Sequence, residues 1–244
     1  MNKNLKLKAL IFGATGALGR LILEQLLLSD NYIEITIVVR RILDDWNNLP
    51  NIHKKKLNII LKEKFDFLKE SKENIIKELN NKSDFDSIFC CLGTRLINSS
   101  SEIQFVEYDL PMICAEVCEK LNISHFLFVS CYFSREYSLL MRERLKFKIE
   151  KDIIKKNIKC VTIFKPGILL NRENNLNILN SIGSYVPFLS KIEIKTVANC
   201  IFLYDCDFHY GKLLENKSKI LDNNEILNFI KSHESSLFDS ISGY

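Results

Sequence analysis

Short apolar runs alternate with longer amphipathic runs along most of the chain. The apolar runs are rich in β-branched residues and suit strands that are buried on both faces of a sheet. We predict strands at 5–12, 33–39, 57–61, 87–92, 126–129 and 160–164, with 64–68 as an alternative third strand. The longer runs predict helices at 17–29, 72–79, 103–121 and 138–156, with Pro111 as a potential kink in the third helix.

This alternation of strand and helix predicts an α/β fold with a doubly wound parallel sheet. We assign residues 1–168 to that domain. From 169 to 244 the pattern mixes short helical and extended pieces with loops, which predicts a small C-terminal lobe packed on the domain as part of one compact unit. A lobe of this kind usually shapes a substrate cleft.

The first predicted strand leads directly into a glycine-rich loop, and a predicted helix follows the loop. The loop consists of Gly13, Ala14, Thr15, Gly16, Ala17, Leu18 and Gly19. Gly13 permits a tight turn, Gly16 lets backbone approach a diphosphate, and Gly19 lets the helix lie close to the sheet. Free N–H groups at the positive end of the helix would bind the diphosphate. We therefore predict a Rossmann NAD(P)-binding domain, with a plain glycine turn as the alternative.

The predicted second strand ends in Arg40 and Arg41, where a protein that prefers NAD needs an acidic residue for the ribose hydroxyls. A guanidinium group suits a phosphate ester instead. We therefore predict NADP(H) as the cofactor. The alternative is a solvated, cationic strand end without a ligand.

Small residues stand where four of the predicted strands end, and such residues allow a ligand to approach closely. In a doubly wound sheet these ends lie along one crevice. Besides the glycine loop, the candidates for cofactor contact are Cys91, Leu92, Gly93, Thr94, Pro166 and Gly167.

These motifs together resemble those of atypical short-chain dehydrogenases, and most closely the Tat-interacting-protein family of oxidoreductase-like proteins. The matching segments include FGATG at 12–16, VRR at 39–41, CCLGT at 90–94 and PGILL at 166–170, and they keep their order over roughly 7–226. The resemblance implies an NADPH-binding Rossmann fold. It also implies either a reductase or a cofactor-sensing regulator that binds proteins, including the nuclear import machinery, and relatives associate with the mitochondrial outer membrane.

Short-chain dehydrogenases use a serine, a tyrosine and a lysine four residues after the tyrosine. The resemblance assigns Ser130 and Lys146 to the serine and lysine, but Arg142 stands in the tyrosine position. Arginine does not give up its proton in proteins and cannot replace tyrosine as an acid–base group. Tyr137 or Tyr132 is the expected substitute. Arg142 and Lys146 would otherwise serve to bind the cofactor.

Two functions follow, and they stay open at this point. The first is a cofactor-sensing regulator or weak reductase, and the alternative is an active NADPH-dependent oxidoreductase of a small carbonyl substrate that uses Tyr132 or Tyr137. An activity like that of nucleotide-sugar epimerases ranks last, because it needs the same missing tyrosine. We expect a dinucleotide and a protein as partners.

Composition restricts which partners, metal sites and cellular locations we expect for the protein. The 244 residues are 47% hydrophobic with a net charge of +4, which indicates a globular chain and no nucleic-acid partner. The eight cysteines show no metal-binding spacing, so we expect free thiols and no metal. No secretory signal or apolar run of membrane-spanning length is visible. We expect a cytoplasmic protein, not integral to a membrane, with peripheral association with an organelle membrane as a possibility.

Overall fold

The computed structural model describes residues 5–62, 72–81, 84–94, 99–171, 190–213 and 217–241. The alternative third strand at 64–68 lies outside the described residues. The strands are β1 (Leu7–Phe12), β2 (Tyr32–Val39), β3 (Leu57–Leu61), β4 (Ser87–Cys90), β5 (His125–Val129), β6 (Cys160–Lys165), β7 (Ile168–Leu170), β8 (Lys191–Glu193) and β9 (Ser218–Asp222). The six predicted strands are thus confirmed, with ends that agree to within two residues.

Within the described part of the chain, seven parallel strands form one sheet in the order β3-β2-β1-β4-β5-β6-β9. The strand order reverses at β1, which pairs with β2 on one side and with β4 on the other. This is the doubly wound Rossmann arrangement that the sequence predicts. The short strands β7 and β8 pair with each other in a separate sheet.

Helices cover both faces of the sheet, as parallel strands require. They are α1 (Ala17–Leu28), α2 (Asp44–Asn47), α3 (Asn51–Lys56), α4 (Lys72–Asn80), α5 (Ser100–Gln104), α6 (Leu110–Lys120), α7 (Met141–Ile154), α8 (Ile194–His209) and α9 (Asn223–Ile241). In β1, Ala9 and Ile11 pack on the face that α1 and α8 cover, while Leu10 and Phe12 pack on the face that α6 and α7 cover. The sheet therefore separates two hydrophobic cores.

The predicted third helix is interrupted where Pro111 stands. A π-helical segment (Phe105–Asp109) lies between α5 and α6. Pro111 has no N–H to donate to the Glu107 carbonyl four residues earlier, so the regular ladder of hydrogen bonds cannot continue there. The wider turn is the result, and such π-bulges are frequent at functional sites. Glu107 lies in this turn with its side chain buried.

Helix α7 begins at Met141, three residues later than the start predicted at 138. The Ser138 hydroxyl accepts a hydrogen bond from the Leu140 N–H at 3.2 Å. Serine side chains that bind nearby backbone in this way favour turns over helix. The residues before Met141 consequently form an exposed loop.

The range 169–244, predicted as a small lobe, contributes to the main layers of the domain. Strand β9 pairs with β6 as the seventh strand, and α8 packs against α1 in one of the two cores. The described residues that stand apart from the large sheet are those of β7 and β8. The boundary at residue 168 stays a prediction.

Candidate functional site

The glycine loop connects β1 to α1 in a conformation that requires glycine at two positions. Gly13 has a φ of +89°, and a Cβ there would lie 2.8 Å from the Cys91 carbonyl carbon. A Cβ on Gly19 would lie 2.2 Å from the Gly13 oxygen. The chain therefore turns tightly and α1 starts directly against the loop, as the spacing of the glycines predicts.

No side chain caps the N-terminus of α1, and its first turn carries no acidic residue. Gly16 is the N-cap residue, and its own N–H donates to the Gly13 oxygen at 2.9 Å. The N–H groups of the first turn have no partner within a helix. This end of α1 can therefore hold an anionic group by backbone donors and the helix dipole.

The carboxyl ends of the central strands lie side by side, because all of their pairings are parallel. The Cys91 N–H donates to the Phe12 oxygen at 2.9 Å, and the Ser130 N–H donates to the Phe164 oxygen at 2.8 Å. Beyond β6, a Cβ on Gly167 would lie 2.1 Å from the Ser190 oxygen. The predicted residues after β1, β4, β5 and β6 are thus brought to one edge, which we call the carboxyl edge.

Lys146 is a buried side chain of α7 and not a surface lysine. Its Nζ atom donates to the Val129 oxygen at 3.0 Å and to the Leu92 oxygen at 3.3 Å. The Glu107 carboxylate lies 3.0 Å from the same atom. Lys146 therefore ties the ends of β4 and β5 to the π-helical segment.

Glu107 links this lysine to the loop after β4. Its Oε1 atom accepts the Thr94 N–H at 2.7 Å and the Thr94 hydroxyl at 2.5 Å. Burial would raise the pKa of Glu107, but the Lys146 ammonium and the hydrogen bonds from Thr94 outweigh it and lower that pKa. The carboxylate is therefore charged and forms a buried ion pair. The sequence analysis missed Glu107. The signal that could have indicated it is Pro111, because a proline inside a predicted helix marks an irregular turn around the residue four positions earlier.

A second buried pair involves Glu150, which also lies on α7. Its Oε1 atom accepts the hydroxyl protons of Ser130 and, at 2.6 Å, of Ser134. Its Oε2 atom lies 3.0 Å from the Lys165 ammonium at the end of β6. Ser130 is therefore buried and gives its only proton to a carboxylate. The signal for Glu150 in the sequence was its spacing of four residues from Lys146.

The tyrosine candidates differ in their surroundings. Tyr137 lies in the loop before α7 with 89% of its surface exposed, and its hydroxyl makes no hydrogen bond to any residue that the structure describes. Tyr132 is half-buried, and its N–H donates to the Pro166 oxygen at 2.9 Å, which keeps its backbone at this edge. Arg142 is half-buried in the first turn of α7.

Arg40 and Arg41 follow β2 and are both exposed. Within the same region, the guanidinium of Arg20 in α1 donates to the Asp45 carboxylate of α2. The two arginines of the predicted phosphate site therefore lie on the surface at the end of β2. They lie on the opposite side of β1 from Lys146 and Glu150.

The amino ends of the strands carry a different polar cluster, centred on the fully buried Asp205 of α8. Asp205 accepts hydrogen bonds from Tyr32 and, at 2.7 Å, from Ser87. His125 Nδ1 lies 2.6 Å from its Oδ1 atom. Burial would raise the pKa of Asp205, but its hydrogen bonds with His125 and His209 lower it well below its usual range. Asp205 thus fastens α8 to three strands.

This cluster does not have the arrangement of a hydrolytic triad. Ser87 Oγ and Asp205 Oδ1 both face the same ring nitrogen of His209, Nε2, at 2.7 and 3.5 Å. In a triad the acid and the serine bind opposite nitrogens of the histidine. The donor atoms of His125, Asp205 and His209 also lie within 4.8 Å of one another, as in some metal sites. Their hydrogen bonds to each other and to Ser87 already occupy these atoms.

Comparison with known proteins gives the following relationships. No family model matches the chain. Protein FMP52-1, mitochondrial, of Scheffersomyces stipitis is 26% identical over 80% of this chain and 83% of that protein. Protein HTATIP2 of Rattus norvegicus is 24% identical over 66% of this chain and 62% of that protein.

Solved structures share the fold at low sequence identity. The oxidoreductase ylbE of Lactococcus lactis has a TM-score of 0.63 and 17% identity, covering 92% of this chain and 97% of that chain. MoeE5 in complex with UDP-glucuronic acid and NAD has a TM-score of 0.63 and 13% identity, covering 88% of this chain and 75% of that chain. The chain therefore has a Rossmann fold and is similar in sequence to FMP52 and HTATIP2, in line with the resemblance to atypical short-chain dehydrogenases.

The comparison overturns the expected location. The FMP52 proteins of S. stipitis, Debaryomyces hansenii and Eremothecium gossypii are named as mitochondrial, so the cytoplasmic location expected from the sequence is wrong. That expectation rested on a missing secretory signal, which does not distinguish the cytosol from an organelle. Among the helices that the structure describes, none is both long enough and apolar enough to cross a bilayer.

Proposed function

We propose that this short-chain-dehydrogenase-like protein binds a nicotinamide dinucleotide across its carboxyl edge. The observation that carries the proposal is the uncapped N-terminus of α1, which follows a loop that tolerates no side chain at Gly13 or Gly19. Such a site suits a diphosphate. The neighbour MoeE5 was solved with NAD, which supports the same class of cofactor.

We further propose a preference for NADP(H) over NAD(H). Arg40 and Arg41 are exposed at the end of β2, where the adenosine ribose of a bound dinucleotide lies in this fold. A guanidinium pair would bind the additional phosphate by charge-assisted hydrogen bonds. Gly13, Ala14, Thr15, Gly16, Ala17, Leu18 and Gly19 would hold the diphosphate, and Cys91, Leu92, Gly93, Thr94, Pro166 and Gly167 would line the rest of the crevice.

Titration of the protein with NADPH and NADH tests both proposals. We expect NADPH to bind at least tenfold more tightly than NADH, and Arg40→Ala/Arg41→Ala to remove that difference. We expect Gly19→Ala to abolish binding of both, while Glu24→Ala is the control, since Glu24 is an exposed residue of the same helix. Equal affinity for the two nucleotides in the unchanged protein would refute the preference, and no binding of either would refute the site.

For the role of the bound cofactor, we propose a cofactor-sensing regulator or weak reductase. Arg142 cannot supply the proton that a tyrosine would, and Tyr137 is 89% exposed in the loop before α7. Binding energy from the dinucleotide would instead favour one conformation that a protein partner recognises. Ser130 and Lys146 then act as positioning residues, since Glu150, Glu107 and backbone oxygens occupy their donors.

An active oxidoreductase of small carbonyl compounds is the second candidate. The hydrogen bond from the Tyr132 N–H to the Pro166 oxygen favours it, because that bond holds Tyr132 at the carboxyl edge. A panel of carbonyl compounds, followed by NADPH oxidation, separates the two roles. Turnover that Tyr132→Phe abolishes would establish the enzyme. Firm NADPH binding without turnover, together with a partner captured only in the presence of NADPH, would establish the regulator.

The names of the FMP52 relatives lead us to propose a mitochondrial location. Fractionation of the source cells tests it with an antibody against this chain. We expect the protein in the mitochondrial fraction. Recovery in the cytosolic fraction alone would refute it.

A further inference from the structure

The carboxyl edge holds many polar side chains, but most of them already have partners within the protein. The Lys146 ammonium is neutralised by Glu107 and the Lys165 ammonium by Glu150. Ser130 donates its hydroxyl proton to Glu150, as Ser134 does at 2.6 Å. These groups therefore add almost no net charge and few free donors to the crevice.

Arg142 is the exception at this edge. Within the ranges that the structure describes, its half-buried guanidinium makes no hydrogen bond and no ion pair. The nearest acid on the same turn, Glu143, accepts the hydroxyl proton of Ser138 instead. An unpaired cation in the first turn of a helix is also disfavoured by the helix dipole. A bound anion would relieve both conditions.

The position of Arg142 follows from the geometry of α7. Arg142, Lys146 and Glu150 are spaced by four residues and share one face of the helix. Helix α7 joins the parallel strands β5 and β6, so it runs from the carboxyl edge back towards the amino ends. The Arg142 backbone consequently lies about 6 Å further along the helix axis towards the carboxyl edge than that of Lys146, whose ammonium reaches the last residue of β5.

Cys131 provides an independent indication of where the two cations act. This residue follows Ser130 at the end of β5 and is half-buried. Burial raises the pKa of the Cys131 thiol and the charges of Glu143 and Glu150 also raise it, while the positive charges of Lys146 and Arg142 lower it. Arg142 therefore lies within electrostatic range of the end of β5.

This place is distinct from the diphosphate cradle. Strand β5 is the second neighbour of β1 in the sheet, with β4 between them. At the usual strand spacing, the ends of β1 and β5 lie about 10 Å apart. The Arg142 charge thus faces the far end of the crevice, where the reactive ring of a dinucleotide held at α1 would lie.

We infer that Arg142 forms a binding site for the anionic group of a second small molecule, a carboxylate or a phosphate, beside the dinucleotide. The inference rests on the proposed function, because it places this ligand next to a bound cofactor. A guanidinium offers paired N–H donors that match a carboxylate or phosphate in two parallel hydrogen bonds. The arginine in the tyrosine position is then a specificity determinant for a charged ligand.

Calorimetric titration of the NADPH-saturated full chain tests the inference with three probes that share a phenyl ring. Phenylglyoxylate carries a carboxylate, phenyl phosphate carries a phosphate, and methyl phenylglyoxylate is the neutral counterpart of the first. We expect one of the anions to bind at least tenfold more tightly than the neutral ester. The anion that binds identifies the chemistry of the natural ligand.

Substitutions assign this binding to one side chain. We expect Arg142→Leu to weaken anion binding at least tenfold and Arg142→Lys to retain part of it, because lysine keeps the charge but not the paired donors. Lys151→Leu is the matched control: it removes one positive charge from an exposed position of the same helix. Circular dichroism confirms that each variant is folded.

The outcomes separate this inference from the proposed function. If NADPH does not bind, the proposed function fails. If NADPH binds but neither anion does, or the neutral ester binds equally well, the anion site alone is refuted. Unchanged anion binding in Arg142→Leu, or a tenfold loss of NADPH affinity in that variant, would also overturn it, the latter by assigning the guanidinium to the cofactor.

Discussion

The two edges of the sheet both bury carboxylates, but they neutralise them differently. At the amino ends, Asp205 is held by the hydroxyls of Tyr32 and Ser87 and by two histidines. At the carboxyl edge, Glu107 and Glu150 each pair with a lysine. The first cluster is buried at the amino ends of the strands, whereas the second lies at the end of the sheet where helix α7, with Arg142 in its first turn, begins.

The difference shows that buried polar groups at the two ends of one sheet hold different parts of the protein: core elements at one end and loops at the other. Asp205 lies on α8 and binds groups on β2, β4 and β5, so its hydrogen bonds fasten one core helix across the sheet. The lysine pairs instead hold the loops after β4, β5 and β6, which are the loops that a ligand would contact. Buried ion pairs add little to stability, but they fix geometry by making other arrangements costly.

Removal of the Asp205 carboxylate is expected to have the largest effect on stability. Asp205→Leu leaves the Tyr32, Ser87 and His125 donors buried without an acceptor, which we expect to lower the free energy of unfolding by about 3–5 kcal/mol. Urea denaturation measures the change, with Glu136→Gln as the exposed control. If Asp205→Leu does not fold, Asp205→Asn provides a milder test. A loss below about 1 kcal/mol in both variants would contradict a structural role for this cluster.

Removal of the Glu107 charge is expected to have an intermediate effect. Glu107→Gln keeps an acceptor for Thr94 but leaves the Lys146 ammonium without its counter-charge, so we expect a loss of about 2–3 kcal/mol in the free energy of unfolding. Addition of Lys146→Met should recover part of that loss, because an apolar replacement of a buried pair is often tolerated. A loss of stability in the double variant that is larger than the sum of the losses in the two single variants would contradict the ion pair.

The smallest of these effects is expected in the pH dependence of the free energy of unfolding, which should differ between the two edges of the sheet. Burial would lower the pKa of His209, but its hydrogen bond to Asp205 and the charge of that residue raise it. Its contribution is therefore complete below the unfolded pKa of about 6.5 and is lost as the pH rises through the higher folded value. We expect the stability difference between the unchanged protein and His209→Gln to shrink by about 1 kcal/mol between pH 6 and pH 9.

Glu107 should respond in the opposite direction and in a different range. Its folded pKa is lowered, so its contribution is present above the unfolded pKa and is lost only as the pH falls through the folded value. The difference in the free energy of unfolding between the unchanged protein and Glu107→Gln should consequently stay constant between pH 6 and pH 9 and decrease in acid. If the stability difference between the unchanged protein and His209→Gln is also constant over that range, the raised pKa of His209 is contradicted.

The order of strands and the glycine loop could be predicted because they depend on local patterns. Apolar runs such as the one ending at Phe12 identify buried strands, and Gly13 and Gly19 are required by contacts within the same turn. The spacing of Arg142, four residues before Lys146, was also visible from the sequence. Strand β9 was missed because Lys219 and Ile220 in it are exposed, so it lacks the apolar character of the central strands.

By itself, the sequence determined the Rossmann framework and the position of the glycine loop, because short-range sterics and hydrophobic periodicity encode both. The tertiary structure decided which charges cancel. Glu107 meets Lys146, Glu150 meets Lys165, and Asp205 meets Ser87 across intervals of the chain that carry no periodic signal. A buried carboxylate takes whichever donor the packing of helix on sheet brings near, so only the folded chain shows that Arg142 is left without an internal partner in the described residues.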